Sequence, residues 1–168
     1  MRGVKVTLVG GAGGVGASAA FNLLLGGAYD VVVVDSRASQ VQSHVMDLAE
    51  VLEQQPGGSV RAGNVADVRD ADIVVLCAAV PLTVNTSRLS YLAESARIMD
   101  EFGSLLSPDS VIVVVANPVD PLVLRLQERT GLSSTRVLGY TLNDSLRLRP
   151  GLSRARDARP GSVDAWVI

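Results

Sequence analysis

Residues 4–35 read VKVTLVGGAGGVGASAAFNLLLGGAYDVVVVD. Val4–Val9 is a β-branched, apolar run that predicts a strand. Val15–Leu25 then predicts a helix, stopped by Gly26-Gly27. Val31–Val34 is apolar on both faces, as a strand inside a parallel sheet must be. Between the first strand and the helix, Gly11-Ala12-Gly13-Gly14-Val15-Gly16 has the form G-x-G-x-x-G. In that position Gly11 permits a tight turn, Gly13 lets a pyrophosphate approach the backbone, and Gly16 lets helix and strand pack closely. The helix N-terminus at Gly14 and Val15 offers N–H groups and the positive end of a dipole to phosphates. Asp35 stands 19 residues after Gly16, straight after the four valines. An acid there accepts hydrogen bonds from both ribose hydroxyls and repels a 2′-phosphate, which favours NAD over NADP. Arg37, two residues on, would soften that preference. A glycine-rich turn with no ligand is the plain alternative, and it leaves the ordered set of strand, glycines, helix and acid unexplained.

The rest of the composition narrows the class. The 168 residues suit one domain or slightly more, and 48 % hydrophobic residues are enough for a sizeable core. A net charge of −2 gives no electrostatic case for nucleic acid or a membrane surface. Cys77 is the only cysteine and His44 the only histidine, so neither a disulfide within the chain nor a zinc site is expected. Nothing points to an oxidising compartment, and a cytoplasmic location is expected. Val6–Tyr29 carries no charge and imitates a signal peptide or membrane span, but its seven glycines are better explained by the phosphate loop.

Strand and helix signals alternate along the whole chain. Ser39–Glu53 predicts a helix with Val41, Val45, Leu48 and Leu52 on one stripe, broken at Pro56-Gly57-Gly58. A weak strand follows at Ser59–Arg61 and a stronger one at Ile73–Ala78. Ser87 reads as an N-cap before a helix over Arg88–Leu106. Val111–Val115 is a buried strand, Pro121–Thr130 a helix with Gly131 as its stop, and Arg136–Leu138 a last short strand of the set. This order implies an α/β, Rossmann-type doubly wound parallel sheet, which binds ligands at the carboxyl ends of its strands. The closing PGSVDAWVI pairs a turn signal at Pro160-Gly161 with an apolar run, Val163–Ile168, that reads as a strand.

Four further stretches, DIVVLCAAVP (72–81), TSRLSYLAESA (86–96), ANPVD (116–120) and NDSLRLR (143–149), follow the glycine loop and VMDLAE (45–50). In order and spacing they resemble the lactate/malate dehydrogenase family over essentially the whole chain. The resemblance implies an NAD-dependent oxidoreductase that moves a hydride between NAD(H) and a small 2-hydroxy/2-oxo acid. It implies a cofactor domain over residues 1–142 and the start of a catalytic domain over 143–168. Ala78 falls on the expected cofactor path, where the family often has T-A-G and this chain has Cys77-Ala78-Ala79. Arg88 matches the mobile-loop arginine that polarises the substrate carbonyl. Asn117 matches the asparagine that contacts substrate oxygen and nicotinamide. Asp144 matches the aspartate that orients the catalytic histidine, and Arg147 the arginine that grips the substrate carboxylate with a two-pronged salt bridge. Singly, these residues also read as a solvated helix residue, an N-cap and a plain turn.

Three departures qualify the expectation. The family's acid/base histidine lies in a motif that follows a strand resembling SVDAWVI, where this chain stops. A truncated chain is therefore expected, one that binds NAD and turns over little or nothing, because His44 belongs to a helix of the cofactor half. A non-catalytic NAD(H)-binding or sensing module is the competing reading. Leu82 occupies the position where dicarboxylate enzymes of the family carry arginine and many lactate enzymes glutamine, so a monocarboxylic, apolar 2-oxo acid is expected. Cys77 reads as strand-end packing rather than a nucleophile. The resemblance also implies a homodimer or homotetramer, with Val45, Leu48 and Leu52 as the apolar face.

Overall fold

The computed structural model describes residues 3–54, 57–80 and 91–166. Six short segments become six parallel strands: β1 Val4–Val9, β2 Tyr29–Val34, β3 Ser59–Ala62, β4 Ile73–Leu76, β5 Val111–Val114 and β6 Val137–Gly139. They lie in the order β3-β2-β1-β4-β5-β6. β1 pairs on one side with β2, Val6 opposite Val31, and on the other with β4, Val6 opposite Ile73. The helices between them are α1 Gly14–Leu25, α2 Ala38–Gln54, α3 Leu92–Gly103 and α4 Val119–Thr130, with α5 Leu142–Ala155 after β6. The doubly wound parallel sheet is thus the one expected, and no helix among the described residues is long and apolar enough to cross a membrane.

The two-residue period of a strand sends alternate side chains to opposite faces, and each face has its own core. Val6, Leu8, Val31 and Val33 pack with Ala20 and Leu24 of α1 and Val41 and Leu48 of α2. Val9, Val74, Leu76, Ile112 and Val114 pack with Met99 and Phe102 of α3 and Leu122 and Leu126 of α4. Val45 and Leu52 pack into the first of these cores beside Leu48. The stripe expected to meet a partner subunit therefore faces the chain's own sheet, because a helix crossing a parallel sheet must cover it with its apolar side.

At the opposite end of β1 from the glycine loop, the chain's only lysine is buried. Lys5 Nζ donates to Asp70 at 2.5 Å and Asp67 at 3.3 Å, and its backbone N–H donates to Asp72 at 2.7 Å. Asp67 also receives Arg61 and the Asn64 N–H. It belongs to a short 3-10 turn, Val65–Val68, whose capping box of Asn64 and Asp67 was not anticipated.

Element ends differ from expectation by a few residues. α3 stops at Gly103, short of Leu106, and α4 begins at Val119, which puts Pro121 in its first turn, where no N–H is missed. Gly131 closes α4 in the left-handed conformation, φ 67°, as expected. The proposed cap at Ser87 and the helix start at Arg88 lie outside the described residues.

Two differences are larger. α5 is not among the elements expected from the sequence, and Pro150-Gly151 lie inside it. The helix continues through them, and Arg149 just before is held from outside by the Ala165 carbonyl at 3.1 Å and Asp164 at 3.1 Å. Conversely, Val163–Trp166 is not a strand. A 3-10 turn at Pro160–Ser162 leads into irregular chain, and Trp166 stacks on Arg149, 4.5 Å from guanidinium to ring centroid. A strand requires a partner edge, and cation–π contact with α5 takes its place here.

Candidate functional site

The loop after β1 turns at Gly10, whose φ is +79°. A Cβ there would stand 2.5 Å from the Ala78 backbone nitrogen, so only glycine fits between β1 and the end of β4. The N–H groups of Gly10 and Gly11 both donate to the Val34 carbonyl, at 2.8 and 3.1 Å, and tie the ends of β1 and β2 together. The tight turn thus falls to Gly10 and not to Gly11, as the fingerprint alone suggested. Gly11 answers to a close contact instead, its missing Cβ falling 2.8 Å from the Leu8 carbonyl oxygen. Gly16 behaves as expected, since a Cβ on it would lie 2.6 Å from Gly11 Cα. Gly14 meets nothing within 4 Å and is open to a ligand.

α1 starts from Gly13 with no side-chain cap and no acid in its first turn. Helix N-termini are normally capped, and an uncapped one beside open glycine backbone suits phosphate oxygens. These residues fit a dinucleotide pyrophosphate.

Asp35 sits just past β2 with its side chain 6 % exposed. Its Oδ2 accepts from the Ala12 N–H at 3.2 Å and Arg37 Nη2 at 3.0 Å. Its Oδ1 accepts from the Arg37 N–H at 3.1 Å and Nε at 2.9 Å. The Arg37 guanidinium holds this carboxyl below the usual carboxylate range, against the opposing effect of burial. Asp35 and Ala78 line a cavity of about 510 Å³ with Gly10, Val34, Asn64 and Arg97, at the carboxyl ends of β1, β2 and β4. That is where the strand order reverses, the ligand position of such sheets.

A second cavity, about 430 Å³, brings Asn117, Asp144 and Arg147 together with Val15 of α1 and with Tyr140 and Thr141. Asn117 follows β5, and its peptide bond to Pro118 is cis. Asp144 and Arg147 lie one turn apart on α5 and touch at 3.4 Å, both exposed. Val15 and Asn117 also border a smaller space of about 200 Å³ with Cys77, Ala79 and Ser95. Ser95 Oγ is buried there with no hydrogen-bond partner among the described residues. An orphaned hydroxyl inside a cavity is the kind of atom a polar ligand group satisfies. Neither Ser95 nor Gly10 was singled out from the sequence; the Gly10-Gly11 pair marks a turn without saying which glycine makes it, and nothing local marks Ser95.

Burial pushes the Cys77 thiol up to about 11, which suits packing and not nucleophilic chemistry. His44 lines a groove between α1 and α2 with Phe21 and Asp47, away from the cavity of Asn117, Asp144 and Arg147. Leu82 and Arg88 lie outside the described residues.

Residues 4–139 match the lactate/malate dehydrogenase NAD-binding domain. L-lactate dehydrogenase 1 of Staphylococcus aureus (strain bovine RF122 / ET3-1) is 37 % identical over 173 residues, 99 % of this chain and 54 % of that protein. The chain therefore spans about half the length of the curated relatives it matches. The malate dehydrogenase of Picrophilus torridus, solved in its apo form, superposes with a TM-score of 0.85 at 26 % identity, over 99 % of this chain and 55 % of its own. Lactate dehydrogenase from Eimeria maxima, solved with NADH and oxamate, gives 0.84 at 27 % identity, over 98 % and 51 %.

Proposed function

The chain belongs to the lactate/malate dehydrogenase family and carries its NAD-binding domain, and from this we propose that the full protein oxidises and reduces a small 2-hydroxy/2-oxo acid pair. The observation that carries the proposal is one cavity in which Asn117, Asp144 and Arg147 adjoin Val15 at the phosphate-binding end of α1. Bound NADH supplies the hydride. Gly13, Gly14 and Gly16 with the α1 N-terminus hold the pyrophosphate, and Asp35 faces the ribose. Ala78 forms part of the cavity wall beside Asp35. Arg147 presents a planar fork to the substrate carboxylate, and Asn117 positions the substrate against the cofactor. Arg88 polarises the carbonyl, and Asp144 orients the proton-donating histidine. That histidine is not His44, so the 168 residues bind NAD and turn over little on their own.

In this reading the cofactor domain comprises residues 1–142 and the catalytic domain begins at 143, in the first turn of α5. The protein assembles as a homodimer or homotetramer, with Phe21 and Leu25, exposed along the α1–α2 groove, among the side chains to be covered. Sedimentation of the full-length protein as a monomer would remove that part.

The test is NADH oxidation by the full-length protein with a panel of 2-oxo acids. Leu82 offers no charge to a second carboxylate, so pyruvate and branched 2-oxo acids are expected to outpace oxaloacetate. Arg147→Leu is expected to lower kcat/KM on the order of a hundredfold or more, as loss of a charge-assisted pair does. NADH binding with no turnover of any 2-oxo acid would favour a non-catalytic module instead.

A further inference from the structure

We propose that Arg37 opens this site to a 2′-phosphorylated dinucleotide, so that NADP(H) binds alongside NAD(H). The inference rests on the dinucleotide reading of the glycine loop and adds a specificity to it. An ionised carboxylate has about four lone-pair positions. All four on Asp35 are engaged: two by the backbone N–H groups of Ala12 and Arg37, two by Arg37 Nε and Nη2. Ribose hydroxyls thus find no acceptor on Asp35 while Arg37 stays in place. The negative charge that would expel a 2′-phosphate is matched by a positive one at 2.9 Å.

The guanidinium is also placed to do more than neutralise. A guanidinium carries five N–H donors, and Asp35 takes only two of these. The Arg37 side chain is 51 % exposed, so the remaining donors are open to a ligand. It reaches back over the phosphate loop, with Nη2 3.7 Å from where a Gly13 Cβ would be. A fork fixed on one carboxylate and aimed along the ribose–phosphate track is suited to a second, larger anion. Asp35 then serves as the anchor that orients Arg37, where it would otherwise be the group that selects the ribose.

Full-length protein, titrated with NADH and NADPH separately and followed by cofactor fluorescence, tests this. The wild type is expected to bind NADPH within about tenfold of NADH, the worth of one charge-assisted hydrogen bond. Arg37→Ala is expected to weaken NADPH by about tenfold or more, and to leave NADH unchanged or tighter as Asp35 is freed. Arg37→Lys keeps the charge without the fork and is expected to fall between them. Binding of NADH without NADPH by the wild type overturns the inference and leaves the NAD reading intact. So does an Arg37→Ala variant that loses both cofactors equally. Binding of neither cofactor by the wild type overturns the dinucleotide reading itself, and this inference with it.

Discussion

Gly14 and Gly16 stand two residues apart and answer to different constraints. A Cβ on Gly16 meets backbone at 2.5 Å, the Gly10 carbonyl oxygen, and backbone cannot rotate aside. Gly16→Ala is therefore expected to cost about 1–3 kcal/mol, read as a lower denaturation midpoint. A Cβ on Gly14 meets nothing. Gly14→Ala should leave stability equal or raise it by up to about 1 kcal/mol, through helix propensity and a stiffer unfolded chain. The same change should weaken NADH binding, because the new methyl occupies the path of the phosphates; unchanged affinity in a titration would remove Gly14 from the site. The glycine spacing was legible because close approach permits no other side chain at fixed positions. Arg37 was legible only as a nearby charge. Whether residues two apart embrace depends on how the chain turns after β2, which propensity does not encode. Gly10 was hidden for a related reason, since two adjacent glycines do not announce which one carries the positive φ.

At the scale of elements, the amino-terminal end of β1 is held by charge rather than by apolar contact. Lys5 is 8 % exposed and bonds Asp70 and Asp67. Asp67 keeps Arg61 and Asp70 is open to solvent, so Lys5→Ala is expected to destabilise by about 1–3 kcal/mol, the worth of the lost charged hydrogen bonds. Arg61 first, then the Asn64 N–H and Lys5, hold the Asp67 carboxyl well below the usual carboxylate range, against burial. A depressed carboxyl contributes stability that is fully present above its unfolded value, about 4, and is lost as pH falls from there through the folded one. Urea midpoints measured downward from neutral pH should fall below about pH 4 in the wild type, and less steeply in Asp67→Asn. β2, β4 and β5 were the most legible elements, because runs such as VVVV, IVVL and VIVV have few other uses. α5 was not, since a proline at 150 runs against helix propensity; the helix carries it, with Arg149 beside it bonded to Ala165 and Asp164. Val163–Trp166 erred the other way: β propensity describes a side chain and says nothing of a partner strand.

On the scale of the whole molecule, two cores on opposite faces share one sheet, and both cavities open at the carboxyl ends of its strands. That placement was readable from element order alone, because right-handed crossovers leave few topologies. Assembly of Asn117 with Asp144 and Arg147 was readable only through family resemblance, since more than twenty residues and a strand separate them. A deletion in either core tests the shared sheet. Leu122→Ala is expected to cost about 2–5 kcal/mol, read by denaturant unfolding, with Leu122 fully buried beneath β5.

The strand order has one further consequence, which concerns time. Of the elements described, β1 leaves the ribosome first, yet it ends in the middle of the sheet. Its neighbour β2 begins 25 residues later, with Val4 opposite Tyr29, but Ile73 arrives 67 residues after Val6. At about 5–20 residues per second, one edge of this central strand waits roughly 3–13 s for its cover. Through that interval the nascent chain exposes an unpaired parallel edge, which is where a chaperone would have most to do and where a crowded refolding mixture would first aggregate.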